Sequence, residues 1–287
     1  MKIIFLTPGS YTWASSRFRA HWVAQHLPGA TVVGPGEECS LDADAFIFCK
    51  VFDVAAMRGL RERGAQVWWD VCDPMWWWTP REARAVLPYL NGVVASNPGL
   101  AADFEKWSGQ RCQMIPDRLD LSRFPQKRVH EDRTPVRLIW YGAGQNRLTL
   151  FGALANLERL IANGHALTLT IYDDQPQHPW NMSDLLHIEY CRWQVEAENA
   201  VLAAHDIALL PPYPGPWGRV KSNNKILTAW ACGLPVTTGE DYYDLERLII
   251  DVNERRDDYT RLLAGQDVRE SAREWEMLLC VAEQGEA

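Results

Sequence analysis

VRLIWYGAGQNRLTLFGALANLERLIA, residues 136–162, is the stretch on which the fold turns. It reads as an apolar strand over 136–141, a glycine turn at Gly142, Ala143 and Gly144, and a helix over 148–162. Its place in the chain makes it decisive, because the same order has already run once. Strands at 1–7, 31–33, 45–49, 66–71, 92–96 and 113–115 alternate with helices at 17–26, 54–64, 80–90 and 99–108, the last opened by Asn97 and Pro98. A charged, irregular linker covers 116–134, and the pattern restarts at Val136. Further strands follow at 167–172, 188–190, 207–210 and 235–237, with helices at 196–204 and 221–232 and a charged helical tail from Asp244. Strand, helix, strand repeated in this way implies a parallel, doubly wound sheet, and its restart implies two. The expected fold class is α/β, with two Rossmann-like domains facing across a cleft at 1–125 and 126–260, and a helical tail at 261–287. Ligands of such sheets bind beyond the carboxyl ends of the strands.

The strongest chemical signal lies further on, in GRVKSNNKILTAWACGLPVTT, residues 218–238. Three cations, Arg219, Lys221 and Lys225, are threaded through Ser222, Asn223 and Asn224 ahead of an apolar helix. Free N–H groups and the positive end of a helix dipole suit a diphosphate, and the cations neutralise it. Lys221 and Lys225, four apart, share a face if the helix begins at Lys221. The alternative is a solvated, capped helix start, with Ser222 or Asn223 as the cap.

The totals exclude several classes. A formal net charge of −8 gives no global attraction to nucleic acid or to an anionic membrane. Seven scattered cysteines without a CxxC pair read as reduced thiols, not as a disulfide framework or a zinc site. The apolar run KIIFLT is too short for a signal segment, and no run is long enough to span a bilayer. A cytoplasmic protein is expected. Fourteen tryptophans are many, and Trp13, Trp76, Trp77, Trp78, Trp180 and Trp217 fall in polar, loop-like contexts. A flat amphipathic ring there stacks on a sugar or a base, or else fills the cleft as packing.

Three segments resemble the family-4-type branch of GT-B glycosyltransferases, over roughly residues 2–251. VVASNPGLAADFEKWSGQRCQMIPDRLDLSRF is similar to that family's passage out of the first domain. WYGAGQNRLTL resembles the opening strand of its second domain, whose glycine turn abuts the donor phosphates. HDIALLPPY, with KSNNKILTAWACGLPV after it, resembles its final donor-binding segment. The family's common form carries two glutamates eight residues apart there, and the corresponding positions here are Val220 and Thr228. The resemblance implies the GT-B architecture and transfer of a sugar, with retention, from a nucleotide-diphosphate donor, a UDP-sugar foremost. The acceptor is a hydroxyl on a glycan or, alternatively, on a hydroxymethylated base of DNA as in phage enzymes of this architecture. The absent glutamates leave a further alternative, a non-catalytic relic that binds nucleotide or glycan. The resemblance also assigns Arg147 to the donor diphosphate. Its other reading is a surface arginine.

The remaining candidates come from the strand ends. Gly142 and Gly144 let backbone N–H groups approach a phosphate, or simply turn the chain. After the first strand, Ser15, Ser16, Arg17 and Arg19 place hydroxyls and guanidiniums on the acceptor side, where a serine cap is the competing account. Trp76 is the candidate ring against the acceptor. Asp73, in the turn after strand 66–71, is the candidate catalytic carboxylate: general base in an inverting transfer, orienting group in a retaining one. Asp70, which continues that strand, reads as a structural acceptor. No metal-ligand spacing is present, so no tightly bound metal or cofactor is expected.

Overall fold

The computed structural model describes residues 1–177, 179–256, 259 and 261–284. The chain divides into two compact units. One comprises Met1–Asp120, Arg219–Asn223 and Gly265–Ala287, the other Leu121–Gly218 and Asn224–Ala264.

The first unit is built on a parallel six-stranded sheet of β1 (Ile3–Leu6), β2 (Ala30–Val33), β3 (Ala45–Cys49), β4 (Gln66–Val71), β5 (Gly92–Ala95) and β6 (Gln113–Met114). The strand order is β2-β1-β3-β4-β5-β6. β3 and β4 are buried at every residue: β3 is the continuous apolar run of a strand covered on both faces, and β4 buries Gln66 and Asp70 along with its apolar residues. The intervening helices begin where short polar side chains can accept orphan N–H groups. Asp53 Oδ1 takes the amides of Ala55 and Ala56 at 2.9 and 3.0 Å ahead of Val54–Glu62. Asn97 Oδ1 takes that of Leu100 at 2.9 Å ahead of Pro98–Ser108, which ends on Gly109 at φ 75°.

The end of the chain belongs to this unit. Sequence alone placed 261–287 as a tail after the second domain, and its last three residues lie outside the described ones. The helix Val268–Gln284 carries Val268, Ala272, Trp275 and Leu279 on one stripe, each no more than 2% exposed. Trp275 packs edge-on against Phe5 at 6.0 Å and Trp68 at 6.2 Å, and Gln66 Nε2 donates to the Leu279 carbonyl at 3.0 Å. Truncating a tryptophan so buried costs roughly 3–5 kcal/mol, so this helix is part of the core.

The second unit holds a parallel five-stranded sheet of β7 (Val136–Gly142), β8 (Leu167–Asp173), β9 (His187–Arg192), β10 (Ile207–Leu209) and β11 (Val236–Thr237). Its order is β11-β10-β7-β8-β9. The helix Phe151–Ala162 lays Ala153, Leu157 and Leu160 on the core beside Leu138, Trp140, Leu169 and Ile171. The doubly wound expectation therefore holds in both units. No helix among the described residues is long and apolar enough to cross a membrane.

Candidate functional site

In the second unit, the carboxyl end of β7 carries the glycine turn. Gly142 has φ 150°, and a Cβ built there would lie 2.5 Å from Lys225 Nζ and 3.0 Å from its Cε. The missing side chain thus makes room for the ammonium group against the strand end. Lys225 also lies 5.2 Å above the Trp140 ring, and the Tyr141 hydroxyl donates to the Lys225 carbonyl. The structure brings Gly142 and Lys225 together although they are far apart in sequence. Gly144 stands beside them, buried under Gln175, whose Cβ would be 2.8 Å from an added one. Its N–H donates to Asp174 Oδ1 at 2.7 Å, so a carboxylate already occupies one donor of the turn.

Three expectations need correction here. The helix expected over 148–162 is preceded by a tight 3₁₀ run, Gly144–Leu150, and becomes regular only at Phe151–Ala162. Arg147 lies inside that run and is fully buried, so it is no surface arginine. Its Nε and Nη2 grip Asp173 at 2.5 and 2.8 Å, and Nη2 also meets the Gln175 carbonyl at 2.5 Å. This bidentate pair ties the turn to the end of β8. Third, the helix expected from Lys221 is Asn224–Ala231, because the Lys221–Asn223 segment is a loop. Lys221 and Lys225 accordingly share no helix face.

The loop residues Arg219–Asn223 group with the first unit. There Lys221 Nζ lies 2.5 Å from Asp73 Oδ1, while Asp73 Oδ2 is ion-paired with Lys50. Asp73 is buried, with both oxygens held by ammonium groups, a fixed hydrogen-bond acceptor in geometry. Arg219 and Asn223 are exposed and Ser222 is half-buried. The positions of the two family glutamates are structural in this chain. Val220 is buried, its carbonyl accepting from Asn97 Nδ2 at 2.9 Å, and the buried Thr228 hydroxyl donates to the Asn224 carbonyl at 2.9 Å.

The acceptor-side candidates divide sharply. Arg19 is buried: Nη2 and Nε reach Asp70 at 2.6 and 3.0 Å, and Nη1 reaches Asp117 at 3.1 Å and the Ile115 carbonyl at 2.6 Å. Arg17 is buried too, its Nη1 donating to the Thr12 carbonyl at 3.2 Å, with Trp22 5.6 Å beneath the guanidinium. Both arginines sit in a π turn, Arg17–His21, and fasten the 8–16 loop and the β4 end. Ser16 is buried and donates to the Gly9 carbonyl at 3.0 Å, whereas Ser15 is half-buried. Trp76 is 2% exposed, stacked on Trp107 at 5.7 Å with its indole N–H on Asp103 at 2.7 Å. It is a core ring. The exposed rings of that turn are Trp77 and Trp78.

Solved structures share this arrangement of strands and helices from end to end. An alpha-glucosyltransferase in complex with UDP and a 13-mer DNA containing an HMU base matches with a TM-score of 0.67 and 10% identity, over 98% of this chain and 99% of that one. The apo form of the lipopolysaccharide outer core galactosyltransferase WaaB matches at 0.60 and 11%, over 100% of both chains. A glycosyltransferase from Rickettsia africae ESF-5 matches at 0.66 and 9%, over 98% of both. This chain has the GT-B fold. No protein-family model matches it, and no curated protein matches it in sequence.

Within this GT-B chain, sequence reasoning missed Lys50. It follows β3 directly, is the one non-glycine residue with positive φ among the described residues (56°), and donates its N–H to the Asp70 carbonyl at 2.8 Å. Such a conformation costs about 1–3 kcal/mol and persists where the surroundings enforce it, commonly at functional sites. The signal was available: a lone cation closing the apolar run AFIFC at the carboxyl end of a buried strand.

Proposed function

We propose that this chain is a glycosyltransferase of the family-4-type branch, moving a sugar from a nucleoside-diphosphate donor, foremost a UDP-sugar, to a hydroxyl acceptor with retention. The observation that carries the reading is Lys225, whose ammonium fills the space a Gly142 side chain would take. A prepositioned cation beside a glycine turn stabilises the charge that develops on a departing diphosphate, and it does so without reorganising during the reaction. The N-terminus of Asn224–Ala231 adds its dipole. Arg219, Lys221, Ser222 and Asn223, just ahead of Lys225 in the chain, are proposed as further donor contacts from their place in the sequence, and residues of the first unit as acceptor contacts. Asp73 orients the acceptor hydroxyl there. Sugar and ribose contacts come from groups other than the glutamates that Val220 and Thr228 replace. The seven cysteines, all thiols, fit action in the reducing cytoplasm.

A modified base in DNA is the second acceptor reading. Trp77 and Trp78, 39% and 55% exposed just beyond Asp73, favour it, since an extruded base needs an aromatic wall. A glycan enzyme shows no gel shift with hydroxymethylated duplex, whereas a DNA enzyme does.

The test of the donor site is a thermal-shift panel of nucleoside diphosphates on the wild type and on Lys225→Ala. A ligand at about a hundred times its Kd adds roughly 2.7 kcal/mol. A rise of several degrees with UDP that disappears in Lys225→Ala supports the site. An equal rise in both proteins removes it, and transfer to no acceptor despite UDP binding identifies a relic.

A further inference from the structure

We propose a second, buried anion site in the second unit, at the amino ends of β7, β10 and β11, that takes a phosphate-sized oxyanion on Arg255, Arg128 and His130. It lies at the opposite edge of the sheet from Gly142. Arg137 and Gly142 are five residues apart on β7, about 16 Å along the strand.

The case rests on buried donors and acceptors without partners. Arg255, at the end of the short turn Asn253–Arg255, is 2% exposed. Its Nε has no hydrogen-bond partner, and among the described residues no carboxylate ion-pairs with it. A buried, unpaired guanidinium is among the most unfavourable arrangements a fold can hold, and native proteins relieve it with a counter-ion. Arg255 is not alone. Arg128 Nε, His130 Nδ1 and Arg137 Nη2 are likewise buried and without a partner. The three guanidinium donors in one neighbourhood point to a missing shared acceptor, and His130 Nδ1 joins them as a donor once it is protonated.

The neighbourhood is excessively cationic. Arg128, Arg137, Arg255 and Arg256 gather around two carboxylates, Asp206 and Asp132. Asp206 is already committed. It is ion-paired with Arg128, accepts the Arg137 N–H at 2.9 Å and has Arg137 Nε at 3.4 Å. Arg256 spends its Nε and Nη2 on the His130 carbonyl at 3.3 Å and its Nη1 on Asn253 at 3.1 Å. His130 Nε2 meets the Gly233 carbonyl at 2.9 Å, which fixes it as the donor and leaves Nδ1 to face the cluster as an acceptor until protonated. Burial, then the charges of Arg128 and Arg256, press the Arg255 guanidinium downward against the pull of Asp206 and Asp132. Burial lowers His130 in the same way. An oxyanion here would reverse both pressures. None of these residues belongs to the proposed donor site, so the inference stands apart from that reading.

The probe is inorganic phosphate, titrated against chloride at matched ionic strength, by calorimetry and thermal shift on the full chain. The background protein is Lys225→Ala, so that phosphate held at the glycine turn does not register. Saturable binding of phosphate to Lys225→Ala, lost when Arg255→Met is added, supports the site. In phosphate-free buffer Arg255→Met should melt no lower than its parent, because it removes an unpaired buried charge. In the parent, the His130 ring proton signals should titrate at higher pH once phosphate is bound, a readout that needs no further variant. Absence of phosphate binding in Lys225→Ala overturns the proposal, as does a phosphate response unchanged by Arg255→Met.

Discussion

Lys221 and Asp73, 148 residues apart, meet at 2.5 Å, and the same carboxylate is held from its other side by Lys50. Asp73 therefore joins the cationic loop to the carboxyl end of β4, the edge at which doubly wound sheets bind ligands. Its role as a fixed acceptor predicts a particular kinetic split. Asp73→Asn keeps the shape, removes the charge and releases Lys221. The expected outcome is a fall in kcat of about a hundredfold, the scale of losing a positioned polar group, with donor affinity unchanged or tighter. Initial-rate kinetics with calorimetry for UDP separate the terms. Weakened UDP binding with an intact kcat would contradict the assignment.

The Gly142–Lys225 contact leads to a second prediction. Gly142→Ala introduces a Cβ 2.5 Å from the Lys225 ammonium, at a φ of 150° that L residues rarely adopt. The lysine must swing away, and the backbone strain costs about 1–3 kcal/mol. UDP affinity should fall by about tenfold or more, beyond anything explained by a modest loss of melting temperature. Gly109→Ala, at φ 75° with open space around it, is the control: it should cost stability and leave UDP binding unaltered.

Asp174 sets a third expectation. Its carboxylate accepts the Gly144 N–H at 2.7 Å, where an anionic ligand on the glycine turn would compete with it. Asp174→Asn preserves the acceptor and removes the like charge. UDP should bind several-fold tighter, and more so at low salt, since the effect is a screened charge interaction. Equal or weaker binding at every ionic strength would place the diphosphate away from Gly144.

These sites show what was legible beforehand and what was not. β3 was located to the residue because a strand buried on both faces is written as an unbroken apolar run, and β4 because Val67, Trp68, Trp69 and Val71 carry the same signal around Asp70. The Asn97 cap was equally plain, and so was the strand read over 136–141, which the structure extends by one residue to Gly142. Partner choice was not. Nothing local to Arg147 reveals that Asp173 lies opposite it, and nothing local to Arg19 reveals Asp70 and Asp117, since both pairings are created by strand order. Helix onset at Asn224 instead of Lys221 was hidden for a related reason. The 219–223 loop is held by groups distant in sequence, Asn97 and Asp73. The burial of Trp76 was hidden because indole amphipathicity is the same in a cleft and in a core. Only the Trp107 stack and the Asp103 acceptor decide it.

Arg19 should matter to folding more than to chemistry. Its guanidinium serves Asp70, Asp117 and the Ile115 carbonyl, all buried. Removing one partner of a buried ion network leaves the others as uncompensated charge, a loss of about 3–5 kcal/mol. Arg19→Ala should unfold at markedly lower denaturant, and Asp70→Asn combined with it should restore part of the loss. Chemical denaturation of the two proteins measures this. Stability within 1 kcal/mol of the wild type, roughly the scale of an exposed pair, would mean that the network is dispensable.

Acid stability gives the last prediction. His205 is buried between the Val201 carbonyl and the Thr170 hydroxyl, each 2.8 Å from a ring nitrogen, and burial lowers its pKa from 6.5. His130 is lowered for the same cause. A histidine whose folded pKa lies below its unfolded value binds fewer protons when folded. Stability then rises with pH across the interval between the two values and is lost as pH falls below 6.5. The melting temperature should be flat from pH 8 to 7 and drop steadily from 6.5 downward, well above the carboxylate range. His205→Gln keeps a donor and an acceptor but does not titrate. It should flatten that slope while lowering the plateau slightly. A melting profile whose acid limb is the same in His205→Gln and wild type would assign the loss to other groups.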